Sequence, residues 1–267
     1  MNTLTIASDE ADARAAAAVE QHHAEMAGRL QVLAEKLLTT VEAGDTSAAV
    51  TAREALVGWL RGDLMPHALA EEKAMYPAAH ATERGRLLVD GMLAEHVTIG
   101  ALVDEIDQAP SPLRAAVAAR ALREMFESHL AKENDLVLPL LTADPSVSVA
   151  ELLGGMHELL GGHDDHDHAA EAGAQQGGCG GHCTCGEVDT AEYPELDART
   201  VPHAIRHATI FGALDGVAPG SGMVLVAPHD PLPLLAQLEE RAPQRFEVSY
   251  LERGPEAWRI QLVRRTA

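Results

Sequence analysis

The chain has 267 residues, enough for two domains of ordinary size that need no disulfides to hold their cores. Its net charge of −21 is unevenly spread, with 24 acids and 12 bases in residues 1–153, 8 acids and no base in 154–194, and 9 acids and 8 bases in 195–267, so no basic patch for nucleic acid or anionic lipid is evident. The N-terminus lacks a basic start followed by an apolar core, no run of about 18 apolar residues occurs, and Cys179, Cys183 and Cys185 crowd one glycine-rich stretch instead of framing a disulfide scaffold; a soluble, cytoplasmic protein is expected.

Helical periodicity predicts four long helices, over Asp9–Val41, Thr46–Ala79, Glu83–Ile106 and Pro112–Leu141, with a weaker signal for a fifth around Val149–Leu160. Gly44, the Thr82–Gly85 region, and Pro110 with Pro112 separate them. Such short connections favour antiparallel neighbours, hence an up-down four-helix bundle over residues 1–153. Residues 154–191, with HDDHDH and CGGHCTCG, are too low in complexity to bury a core and are expected to be a flexible linker. Residues 192–267 then read strand (YPELDA), helix (Val201–Leu214), strand (Met223–Ala227), helix (Pro231–Arg241) and strands Arg245–Leu251 and Trp258–Arg264. Thr200 and Asp230 are expected to cap the two helices. The class is therefore α plus α/β in two domains, the second a small two-layer sandwich of order β-α-β-α-β-β.

The apolar stripes of the four helices carry polar intruders. They read Val19, His23, Met26, Leu30, Leu33, Leu37; then Leu56, Leu60, Leu64, His67, Glu71, Met75; then Val89, Met92, His96, Ile99, Val103, Ile106; and then Leu122, Met125, His129, Glu133, Leu136, Leu140. Every step is three or four residues, so four histidines and two glutamates should point into one core. His22 lies about 100° away from His23 around the helix and does not continue the stripe. No Lys or Arg stands in these stripes to neutralise Glu71 and Glu133, and an unpaired buried carboxylate costs several kcal/mol. A metal pair answers the charge problem. The spacing HxxxE occurs twice, at His67/Glu71 and His129/Glu133, which sets both ligands on one helix face a turn apart. Six nitrogen and oxygen ligands suit two iron ions, or manganese, better than a four-ligand zinc site. Without metal, the two neighbouring carboxylates are expected to take up protons.

On these residues the chain, over roughly 9–145, resembles the hemerythrin-like (HHE cation-binding) family. The resemblance implies a non-haem di-iron centre bridged by Glu71 and Glu133, with O2 or NO as ligand for sensing, storage or detoxification. Iron handling for an apo iron-sulfur protein, or reduction of NO or peroxide, would use the same ligands, so whether the protein is an enzyme stays open. Oxygen-carrying hemerythrins keep a further histidine one turn after the first on their third helix; here that position is Gly100, which implies a more open metal pair. The C-terminal segment looks like a small uncharacterised family related to the sulfur-carrier (TusA/SirA-like) fold, with His203 where those carriers keep their reactive cysteine. Weaker signals are His203, His207 and His229 as a second site, and Cys179, His182, Cys183, Cys185, His163, His166 and His168 as metal-capturing groups.

Overall fold

The computed structural model describes residues 10–159, 193–201 and 205–266. Cys179, Cys183, Cys185, His163, His166, His168, His182 and His203 lie outside them.

The bundle begins with α1 (Glu10–Glu42), which a turn with Gly44 in the left-handed region connects to α2 (Thr46–Trp59). Asp45 caps that helix, accepting from the Ala48 backbone N–H at 2.9 Å. A π-helical turn (Leu60–Leu64) leads from α2 into α3 (Met65–Ala74) and the short α4 (Tyr76–His80). After α5 (Arg86–Gln108), the fourth leg consists of α6 (Pro112–Lys132), a second π-helical turn (Glu133–Val137) and α7 (Leu138–Thr142). The α1 helix lies beside α2 and α6, and α5 beside the same two, which is the square of an up-down bundle. The weakly signalled fifth helix is present as α8 (Val149–Leu159). Asp12 ties it to α1 by accepting from the Ala150 N–H and the Ser148 hydroxyl.

The two π turns share a cause. Each ends one residue before a proline-containing turn, at Met65-Pro66 and Leu138-Pro139. Proline donates no N–H and its ring crowds the carbonyl four residues back, so the turn before it widens. The Met65 N–H reaches back five residues to Leu60 O, and the Leu138 N–H to Glu133 O. Widening rotates the neighbouring residues about the helix axis. Leu136, expected on the inner stripe, is 50% exposed, while Val137 is fully buried with Leu138 and Leu141.

The second domain has β1 (Glu195–Asp197), α9 (Arg206–Asp215), β2 (Gly222–Ala227), α10 (Leu232–Arg241), β3 (Phe246–Arg253) and β4 (Trp258–Arg264). Its sheet has the order β1-β2-β4-β3, parallel between β1 and β2 and antiparallel elsewhere. Met223, Leu225, Ile260 and Leu262 from the sheet form one core with Ile210, Leu214, Leu234 and Leu238 from the helices, so the expected β-α-β-α-β-β two-layer unit is what folds. Neither expected cap is made. Thr200 instead donates its hydroxyl to Asp197 O, and α9 starts at Arg206 instead of Val201. Asp230 accepts from the Tyr250 hydroxyl at 2.8 Å, leaving α10 without a side-chain cap.

The domains meet along α1 and α9. Gly28 and Gly212 let the two backbones touch: a Cβ at Gly28 would lie 2.0 Å from Thr209 O, and one at Gly212 would lie 2.0 Å from Glu25 O. Val32, on the same face of α1, belongs to the core of the second domain.

Candidate metal centre

The bundle interior is two apolar clusters with a polar layer between them. One contains Met26, Leu64, Ile99, Phe126 and Leu130, and the other contains Val19, Met75, Met92 and Val137. Along each leg the expected ligand falls between the two: His23 between Val19 and Met26, His67 and Glu71 between Leu64 and Met75, His96 between Met92 and Ile99, His129 and Glu133 between Phe126 and Val137. All six are buried. His22 is exposed, its ring centroid 5.0 Å from that of His67.

The donor atoms form two groups, each spanning no more than 4.8 Å: Glu71, His96, His129 and Glu133 in one, His23, His67 and Glu71 in the other. Each carboxylate reaches both sides. Glu71 Oε1 is 2.9 Å from His67 Nε2 and 3.2 Å from His23 Nε2, while its Oε2 is 3.8 Å from His96 Nε2. Glu133 Oε1 is 3.6 Å from His129 Nε2 and its Oε2 is 3.7 Å from His23 Nε2. Among the described residues, the ion pairs of both glutamates are with histidine alone.

Two features show that this donor set fits metal ions. Buried polar atoms without a hydrogen bond include Glu133 Oε2; such atoms are costly unless something else satisfies them. The His96 and His129 Nε2 atoms are 3.0 Å apart, close to the spacing of about 3.0 Å for two nitrogens held at right angles by one ion at about 2.1 Å.

The outer ring nitrogens reveal residues that the sequence reading missed. His96 Nδ1 donates to Glu72 Oε1 at 2.8 Å, His129 Nδ1 to Glu95 Oε2 at 3.0 Å, and His23 Nδ1 to Asn134 Oδ1 at 2.8 Å. Lys132 in turn holds Glu95. These bonds fix each imidazole with its Nε2 lone pair inward. Glu72, Glu95 and Asn134 are the chain neighbours of Glu71, His96 and Glu133, a signal that adjacency alone could have supplied. Tyr76 was also missed: its buried hydroxyl donates to Glu133 Oε1 at 2.6 Å and stands 3.3–3.4 Å from the Nε2 atoms of His129 and His96. At Gly100 a Cβ would lie 3.5 Å from Met65 Cε, so the thioether fills the space one turn beyond His96.

As protein groups alone, the layer balances its charge through the imidazoles. Burial pulls the His23 pKa down, but its hydrogen bond to Glu71 and the charges of Glu133 and Glu71 lift it to about 9. Burial pushes Glu71 up, yet His67 and His23 hold it well below the usual carboxylate range. His129 is raised, Glu133 and Glu95 outweighing its burial. For Glu71 the direction runs against the expected proton uptake, because His67 and His23 favour its charged form.

Neither His207 nor His229, both exposed, joins a metal-holding group among the described residues. No helix among them is long and apolar enough to cross a membrane.

Residues 14–141 match the family model described as Hemerythrin HHE cation binding domain, and residues 195–264 match Uncharacterized conserved protein (DUF2249). Comparison with curated proteins and with solved structures gave no match.

Proposed function

Because residues 14–141 match the hemerythrin HHE cation-binding domain model, we propose that they hold two non-haem iron ions on His23, His67, Glu71, His96, His129 and Glu133 and bind O2 or NO, for sensing, storage or detoxification in the cytoplasm. The observation that carries the reading is the pair of buried carboxylates that each reach both histidine pairs, with no Lys or Arg as partner. Iron bound there supplies exchangeable electrons and open coordination positions for a diatomic ligand. The surrounding residues prepare that chemistry. Glu71 and Glu133 bring two negative charges into an apolar interior, which only cations offset. The apolar clusters above and below the layer exclude water. Tyr76 donates its O–H to Glu133 and so keeps that carboxylate oriented. With glycine at position 100, the third leg contributes one imidazole to the layer.

The test is anaerobic loading with Fe(II), a count of iron per chain, and then O2 or NO with the optical spectrum followed. About two irons and a stable new absorption band with either gas are expected. Catalytic consumption of NO or peroxide, or ready loss of iron to an apo iron-sulfur protein, would move the reading to reduction or iron handling. Fewer than two irons would refute the dinuclear centre.

A further inference from the structure

The two halves of the centre are built differently outside the ring of donor atoms. On one side the outer nitrogens of His96 and His129 both donate to carboxylates, Glu72 and Glu95. On the other, His23 donates to the neutral amide oxygen of Asn134, and the buried His67 Nδ1 has no hydrogen-bond partner. A carboxylate on the far nitrogen makes an imidazole a stronger donor, and losing such a partner typically weakens metal affinity about 10- to 100-fold. An imidazole that ligates through Nε2 must carry its proton on Nδ1, so His67 buries an unsatisfied N–H whenever it binds metal.

The same weaker half faces a cavity. A space of about 460 Å³ lies between the domains, walled by His23 and Asn134 from the bundle, Arg123 and Glu127 from α6, and Thr200 and Thr209 from the second domain. None of His96, His129 or Glu133 lines it. Its charged lining groups are largely spoken for: Arg123 donates to Glu127 at 3.0 Å, and Asp197, also in the wall, is paired with Arg199.

The geometry points to two metal positions of unequal strength: a tight one on His96, His129 and Glu133, and an exchangeable one on His23 and His67, whose ion enters and leaves by the interdomain cavity past His23 and Asn134. This rests on the dinuclear reading proposed above and adds which ion is mobile and which residues make it so. The second domain, by forming the outer wall of the cavity, controls that exchange.

The test is anaerobic titration of the full-length protein with Fe(II), and with Co(II) as a coloured probe, followed by chelator challenge. Two steps are expected in the wild type. Asn134→Asp, which gives His23 a carboxylate like those of its counterparts, should tighten the weaker step about 10-fold and leave the tighter one in place. Asn134→Leu, in case the added charge disturbs folding, should weaken the weaker step alone. Glu95→Gln or Glu72→Gln should instead loosen the tighter step by about 10- to 100-fold. Chelator should strip one equivalent quickly, and Ala131→Trp, placed in the cavity wall, should slow that loss alone. Two ions taken up in one indivisible step, or an Asn134→Asp protein whose tighter step moves, would overturn the inference while leaving the dinuclear reading standing. Uptake of a single ion would overturn both.

Discussion

Replacing Gly212 by alanine should destabilise the protein even though alanine is the better helix former. The new Cβ would sit 2.0 Å from Glu25 O and 2.5 Å from the Glu25 carbonyl carbon and Cα. An ordinary carbon–oxygen contact is about 3.3 Å, so α1 and α9 must part by more than 1 Å, and both sides of the clash are helical backbone that cannot swing aside. A gap of about 0.5–1 Å already forfeits a quarter to a half of the dispersion attraction across a contact. Overpacking of this kind costs about 1–3 kcal/mol, and backbone against backbone belongs at the upper end. Alanine returns about 1 kcal/mol through helix propensity. The net loss is about 2 kcal/mol, roughly 4–8 °C in melting temperature for a chain of this size. Gly28→Ala meets Thr209 O at the same 2.0 Å and should act alike, with the double variant losing less than the sum because the helices have already separated. Gly58 and Gly91, on α2 and α5 with nothing within 4 Å of a Cβ, are the controls, and alanine at either should stabilise. Scanning calorimetry of the full chain measures all five. A Gly212→Ala protein that melts at or above the wild-type temperature would show that the two helices do not touch there.

His23→Ala should abolish or weaken one metal equivalent in a binding titration while His22→Ala leaves both nearly intact, since only the first ring faces the polar layer; the reverse ranking would mean that α1 is rotated. In metal-free protein, His23 titrates near 9 against an ordinary value of 6.5, so it favours folding fully below pH 6.5 and loses that contribution as pH rises to about 9. Metal-free melting temperatures should therefore fall across that window, and His23→Gln should flatten the fall; a flat wild-type profile would refute the buried imidazolium. Leu136→Asp should be tolerated and Val137→Asp should prevent folding, as judged by circular dichroism, because the π turn places the second inward; equal tolerance would contradict the shifted register.

The four legs and the six buried His and Glu positions of the polar layer could be read from the sequence because the stripe and the HxxxE spacing both depend on a regular helical period. Where the period changes, the reading fails. Leu136 was expected inside because a turn of 3.6 residues puts it there, and only the proline at 139 hinted at the wider turn that turns Val137 inward instead. Glu72, Glu95, Asn134 and Tyr76 left no periodic trace, since a residue that serves a histidine on another leg is fixed by packing between legs. The second domain's element order was legible from alternation and turns. Its docking was not: Gly28 and Val32 read as ordinary positions on α1, and only the fold shows that Gly212 meets that face.

Val32 gives α1 membership in two cores at once, and this bears on the order of events at the ribosome. The bundle's first helix is synthesised early, yet the partners of its outer face, Ile210, Ala213 and Leu214, are near the end of the chain. Domains generally fold as units from the N-terminus during synthesis, so the bundle can close while the strip from Glu25 to Val32 is still uncovered. Pairing of residues so distant in sequence is intrinsically slow. During that interval the face of α1 that the second domain later covers, including Val32, is open to solvent.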